Sequence, residues 1–181
     1  MPHAALGGNM STLLLLTGGT IDAEPYEHLD QPDATVITSY IPQLLEDNGL
    51  CNQVEIHYWK ERKDSKLFLE DEIREIATYI MSSKYNQVVV THGTDRMAEH
   101  SRIVRQELLA NKSKAHLKTV IFTGAMIPLS HGKESDGESN LQHAIEMAAT
   151  QAPGVYVAMH GQLFDALTVT KNFDQKKFIQ N

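Results

Sequence analysis

The sequence predicts an α/β fold in which a doubly wound, mainly parallel sheet lies between two helical layers, and three observations predict it. Apolar runs recur without polar alternation at Leu13-Leu14-Leu15-Leu16, Val88-Val89-Val90 and Val120-Ile121-Phe122, as strands buried on both faces require. Stretches with apolar residues at helical spacing separate them, so strand, loop and helix alternate along the chain. That alternation produces parallel strands joined by crossover helices. At 181 residues the chain fits one hydrophobic core, which commonly serves up to roughly 200 residues. The expectation is a single three-layer domain of Rossmann-like or flavodoxin-like type over 12–181, with 1–11 as a leader, loosely ordered or vector-derived.

The first strand breaks at Gly18-Gly19 and delivers the Thr20 hydroxyl directly afterwards. Glycine there tolerates a sharp turn and the close approach of a ligand. The polar stretch that follows, punctuated by Pro25 and Pro32, reads as a loop. It is placed to act as a lid, with Tyr26 as its candidate side chain, or else it is a plain connector carrying a surface tyrosine. Tyr40, Ile41, Leu44 and Leu45 predict a covering helix over 39–48 that stops at Asn48-Gly49, a common end signal. Val54-Glu55-Ile56-His57-Tyr58 alternates as a strand and leads through a charged segment to Asp64-Ser65. Ile73, Ile76, Ala77 and Ile80 predict a helix over 70–83, whose acidic start suits the helix dipole. A β-branched strand over 86–91 ends in His92-Gly93-Thr94-Asp95 and gives way to a helix over 96–110. The pattern repeats with a strand over 118–123, the turn Gly124-Ala125, a helix over 140–150 and a strand over 154–159. In such a sheet the loops leaving the carboxyl ends of the strands gather along one edge. Thr20, Asp64-Ser65 and Thr94-Asp95 all follow strands and are expected together there.

Composition narrows the function. Sixteen basic against twenty-three acidic side chains give a net charge of −7, which argues against nucleic-acid or anionic-membrane partners. The two basic clusters, Lys60 to Lys63 and Lys176-Lys177, read as solvated surface. A mean hydropathy of −0.31 and an opening apolar run far too short to span a bilayer predict no membrane segment. The single cysteine, Cys51, cannot form an internal disulfide and has little support as a nucleophile, so a reducing cytoplasm is expected. Nine histidines invite a test for metal, but none has the spacing of a metal site. His92 is placed to orient a turn, and His131 and His160 read as loop residues. Gly18-Gly19 forms neither a dinucleotide fingerprint nor a phosphate-binding loop. No metal, nucleotide or other cofactor is expected.

The residues that remain offer a candidate nucleophile and its partners. A threonine hydroxyl is a weak nucleophile that needs a partner to share its proton, and amides at a neighbouring turn could hold an oxyanion. Thr20 fits the first role, or lies in an ordinary β-to-α turn. Thr94-Asp95 pairs a second hydroxyl with a carboxylate, or simply caps the helix that follows. Lys171 is either solvated or, if buried near Asp95, part of a proton path to Thr94.

Thr17-Gly18-Gly19-Thr20-Ile21 and Thr91-His92-Gly93-Thr94-Asp95 resemble the two signature motifs of the bacterial-type L-asparaginase and glutaminase family. Asp64-Ser65, Thr123-Gly124-Ala125-Met126 with Pro128, Ser135-Asp136-Gly137 with Asn140-Leu141, and Lys171 extend the likeness from about Thr12 to Lys171, the family's amino-terminal domain. The resemblance implies hydrolysis of the L-asparagine side-chain amide to aspartate and ammonia through an acyl-enzyme. Thr20 would attack, amides near Gly19, Gly93 and Thr94 would line the substrate and oxyanion site, and Thr94 would act through Lys171 and Asp95. Asp95 would also receive the substrate ammonium. Ser65, beside Asp64, would hold its carboxylate, and Tyr26 would assist Thr20. A homodimer or homotetramer acting on a small amino-acid amide follows from the same likeness. The chain departs from the family in stopping at Asn181 without the smaller second domain, and at Arg96 and Ile127, where threonine and arginine are usual. The alternatives are a binding module for asparagine or aspartate without turnover, and a hydrolase of glutamine or another small amide.

Overall fold

A computed structural model describes residues 12–23, 39–111 and 117–180. Its six-stranded sheet is built from β1 (Thr12–Leu16), β2 (Val54–Tyr58), β3 (Gln87–Thr91), β4 (Thr119–Thr123), β5 (Gly154–Met159) and β6 (Gln162–Asp165), in the order β2-β1-β3-β4-β5-β6. The first five strands are parallel and β6 returns antiparallel to β5. Of the two expected types this is the flavodoxin-like order, in which the chain runs from β1 outward to β2 and then crosses back to β3 on the other side of β1. The strand order therefore reverses between β1 and β3, and ligands bind outside the carboxyl ends of the strands at such a point.

Helices α1 (Ile41–Asp47) and α4 (Gly137–Thr150) cover one face, and α2 (Glu70–Ser82) and α3 (Met97–Ala110) the other. The alternation of β1 explains why both faces must be covered: Leu13 and Leu15 enter the core under α2 and α3, and Leu14 and Leu16 the core under α1 and α4. All four leucines are at most 1% exposed, and each buried side chain of this size contributes about 1.5–3 kcal/mol. Ile73, Ile76, Ala77 and Ile80 form the buried stripe of α2, as their spacing predicts.

The chain then forms a hairpin of β7 (Val169–Asn172) and β8 (Lys177–Gln180) outside the main sheet. Val169 and Phe178 anchor it in the core shared with α3, and the Arg102 side chain of α3 donates to the Val169 carbonyl at 2.9 Å. This short hairpin matters because it carries Lys171. Among the described residues no helix is long and apolar enough to cross a membrane.

Candidate active site

Three loops meet where the sheet order reverses, and glycine makes the meeting possible. The β1 loop turns through Gly19 at φ 88°. A methyl group on Gly19 would lie 2.4 Å from the Gly93 nitrogen, and one on Gly93 would lie 2.7 Å from Ser65 Cβ. Real carbon atoms do not approach so closely, so the backbones at positions 19 and 93 stack with no room for a side chain between them, and Ser65 packs directly on Gly93. Thr20, half-buried, opens a single 3₁₀ turn, Thr20–Asp22. Among the described residues its hydroxyl has no hydrogen-bond partner. The 3₁₀ turn is held from behind by Asp22, which is 1% exposed, accepts from the Tyr40 N–H at 2.8 Å and faces Arg62 at 3.5 Å. Burial pushes the Asp22 carboxyl up, against the opposing pull of Ser39, Tyr40 and Arg62.

Beside it lies a threonine, lysine and aspartate cluster. Lys171 Nζ donates to Thr94 Oγ1 at 2.9 Å and to Asp95 Oδ1 at 2.5 Å. The Lys171 side chain is only 7% exposed, although by default a lysine is solvated. The hairpin thus brings it to residues 76 and 77 positions earlier. Lys66 occupies the second oxygen of Asp95 at 2.7 Å. Burial would raise the Asp95 carboxyl, but the hydrogen bonds and charges of the two lysines outweigh it and leave the group lowered and ionised. Among the described residues the N–H groups of Gly93 and Thr94 donate to no carbonyl or side chain, so they are available to a developing oxyanion.

Ser65 is fully buried. Its Oγ accepts from the Arg96 N–H at 3.2 Å, which fastens the short 3₁₀ turn Ser65–Leu67 to the start of α3. Exposed Asp64 caps this turn by accepting from the Lys66 N–H at 2.8 Å. Behind Thr94, the Asp136 carboxylate accepts from the N–H groups of Met126 and Ile127, both at 2.9 Å, and from Asn140 Nδ2 at 3.0 Å. The Asn140 side chain also donates to the Gly124 carbonyl at 2.9 Å. These bonds fix the β4 loop, whose Met126 sulfur lies 3.7 Å from Thr94 Oγ1.

His92 does more than orient a turn. The Thr17 hydroxyl spends its proton on the Thr91 carbonyl at 2.6 Å, so its 2.7 Å contact with His92 Nδ1 must be a bond donated by the imidazole. His92 Nε2 is then the acceptor for His100 Nδ1–H at 2.8 Å, and both tautomers are fixed. The chain Thr17, His92, His100 ties the β1 loop through the β3 loop to α3. Burial, then the neighbouring His100, pushes His92 down to about 3, and burial pushes His100 down to about 4.

The structure therefore brings Gly19, Thr20, Ser65, Gly93, Thr94, Asp95 and Lys171 to one place, with Asp64 at its rim. Tyr26 lies outside the described residues. The sequence reading missed Lys66, whose only signal is its place directly after Asp64-Ser65, and it gave no role to His100. Among the described residues no three or more His, Cys, Asp or Glu side chains converge as a metal site.

Fold and site together define a class: a flavodoxin-like α/β domain with a threonine, lysine and aspartate cluster at the strand switch point. The asparaginase amino-terminal family model matches residues 11–177, and the chain belongs to the asparaginase family. It is similar to a probable L-asparaginase of Deinococcus radiodurans, at 31% identity over 165 residues that cover 87% of this chain and 46% of the relative. It is also similar to a glutaminase-asparaginase of Acinetobacter glutaminasificans, at 26% identity over 91% of this chain and 50% of the relative. Among solved structures, a probable cytoplasmic L-asparaginase from Campylobacter jejuni superposes with a TM-score of 0.73 at 25% identity, covering 94% of this chain and 52% of the other. L-asparaginase I from Vibrio cholerae shares the fold with a TM-score of 0.76 at 24% identity, covering 94% and 51%. The chain spans about half the length of the relatives it matches.

Proposed function

We propose that this chain carries the catalytic domain of an amidohydrolase that converts L-asparagine to L-aspartate and ammonia through an acyl-enzyme on Thr20. The observation that carries the reading is Lys171 bridging Thr94 and Asp95 on the loop stacked against Gly19. Thr20 Oγ1 attacks the amide carbon and passes its proton to the amide nitrogen, with Tyr26 assisting. The Gly93 and Thr94 N–H groups hold the oxyanion. The C–N bond breaks, ammonia departs, and an ester remains on Thr20. Water polarised by Thr94, with Lys171 and Asp95 carrying the proton, adds to that ester, and its collapse frees the acid and restores the Thr20 hydroxyl. Ser65 and Asp64 line the substrate-carboxylate side, and Asp95 faces the substrate ammonium.

Family membership and the names of the relatives support the amide class. They leave asparagine and glutamine close, since one methylene is worth only about 1–3 kcal/mol in a pocket. A cytoplasmic homodimer or homotetramer belongs to the same proposal. The test is ammonia release from asparagine and glutamine, with Thr20→Ala as control. Turnover lost in that variant supports the reading. Binding of asparagine or aspartate without ammonia release would select a non-catalytic binding module instead.

A further inference from the structure

The Thr94 hydroxyl meets two neighbours, and they assign its proton. Lys171 Nζ donates to Thr94 Oγ1 at 2.9 Å, and an ammonium can only donate. The Thr94 O–H is therefore directed elsewhere, to the Met126 sulfur 3.7 Å away. A thioether is a weak acceptor, so this contact orients the proton without holding it firmly. A hydroxyl that must polarise water needs that freedom to turn.

The sulfur is carried on a fixed backbone. The Met126 N–H donates to both oxygens of Asp136, at 2.9 and 3.1 Å, and the same carboxylate accepts from the Ile127 N–H and from Asn140. Met126 is half-buried beside the site, whereas Met81, Met97 and Met159 lie in the core at no more than 8% exposure. Met147, also half-buried, packs on α4 against the core of the other sheet face. Met126 is thus the described methionine whose sulfur an oxidant entering the site would meet.

We propose that Met126 is an oxidation site that controls hydrolysis, its sulfoxide fixing the Thr94 hydroxyl and slowing deacylation. The inference deepens the amidohydrolase reading and rests on it. The oxidant is a peroxide. A sulfur lone pair attacks one peroxide oxygen, the S–O bond forms as the O–O bond breaks, and the departing hydroxide takes the proton of the transferred oxygen and leaves as water. Sulfur loses two electrons and the peroxide gains them. The product is polar, and its oxygen is a stronger acceptor than the sulfur it replaces. The gap of 3.7 Å puts that oxygen within reach of Thr94 Oγ1. The Thr94 proton then stays on the sulfoxide, and the hydroxyl no longer turns to the water that attacks the acyl ester. Thr20 and the Gly93 and Thr94 N–H groups are untouched, so acylation is slowed less than deacylation.

The test treats the unaltered chain, Met126→Leu and Met126→Gln with hydrogen peroxide and locates added oxygen by peptide mass spectrometry. Ammonia release from asparagine is measured before treatment, after it, and after repair by methionine sulfoxide reductases of both epimer specificities. Neither substitution touches the backbone bonds to Asp136, so both variants should fold. Exposed Cys51 is oxidised alike in all three chains, and Met126→Leu is its control. In the unaltered chain kcat should fall by at least about tenfold, part of the about 10²–10⁴ that a proton-transfer group supplies. KM should fall with it, because acyl-enzyme accumulates, and the reductases should restore both. Met126→Leu should keep its own starting rate through the same treatment. Met126→Gln, with a permanent oxygen acceptor in place of sulfur, should show the lowered kcat and KM without peroxide. No oxygen on Met126, oxygen there with kcat unchanged, a rise in KM, or an equal loss of rate in Met126→Leu would overturn the proposal. Should the untreated chain release no ammonia from any amide, the amidohydrolase reading fails, and mapping with nuclear magnetic resonance decides the oxidation site. Oxygen reaching Met126 before Met81, Met97 and Met159, with a Thr94 methyl resonance that moves on oxidation and returns on repair, supports it; another order or an unmoved resonance overturns it.

Discussion

Acidification from pH 7 to pH 5 should destabilise this domain before its lowered carboxylates titrate, and the cause is the buried His92–His100 pair. His92 is fully buried and His100 is 1% exposed, and their pKa values are pushed from 6.5 to about 3 and about 4. Both are depressed in the folded chain. Their contribution is therefore fully present above the unfolded value near 6.5 and is lost as pH falls toward 4 and 3. At pH 5 each imidazole is protonated when unfolded and neutral when folded. The gap of 1.5 units below 6.5 corresponds to about 2 kcal/mol for each histidine, or about 4 kcal/mol for the pair. For a chain of this size, 1 kcal/mol moves Tm by about 2–4 °C, so melting by circular dichroism should fall by about 10 °C between pH 7 and pH 5. The lowered carboxylates Asp95, Glu72 and Glu99 start from ordinary values of 3.8 to 4.5 and add their losses only at more acid pH. His100→Gln should remove about half of the fall. A Tm unchanged across this interval, or a fall undiminished in His100→Gln, would refute the buried neutral relay.

The other expectations concern the loops and the core. Lys171→Met removes the cation shared by Thr94 and Asp95 and should lower kcat by about 10²–10⁴, the range of a lost proton-transfer group, while Tm stays within a few degrees; unchanged kcat would remove Lys171 from the chemistry. Gly19→Ala must shift backbone because its methyl would lie 2.4 Å from the Gly93 nitrogen, and a displacement near 1 Å costs about 10²-fold in rate; an alanine variant with full activity would show that the stacked loops are not required. Asp136→Ala strips the acceptor from the Met126 and Ile127 N–H groups and from Asn140 and should cost about 1–3 kcal/mol, read as a lower denaturant midpoint. Leu14→Ala, in the centre of β1 with its side chain 0% exposed, should cost about 2–5 kcal/mol by the same measurement.

The central strands were legible because a parallel strand covered on both faces must be apolar throughout, and Leu13 to Leu16, Val88 to Val90 and Val120 to Phe122 are. The helices were legible through their stripes, and α2 starts where its acidic first turn indicates, at Glu70. The strands β6, β7 and β8 were not separated in the sequence. Each has four residues and a single buried position, so burial imposes too little pattern to read. The convergence of Thr20, Ser65 and Thr94-Asp95 followed from the one-sided geometry of parallel strands. Lys171 was legible only through family resemblance, because its position depends on a hairpin packed against α3. Lys66 is marked only by its place after Asp64-Ser65, and the His92–His100 link depends on elements brought together by tertiary packing, of which spacing along the chain carries no trace.

The central claim is covalent chemistry at Thr20. Acid-quenched mass spectrometry of the Lys171→Met variant mixed with asparagine tests it most directly, because slowed deacylation lets an intermediate accumulate. The account predicts the acyl group of the supplied amide on the peptide that spans Thr20, absent when Thr20→Ala is added to the same chain. Ammonia release from a Thr20→Ala chain at the unaltered rate, or an acyl group found on Thr94 instead, would contradict it.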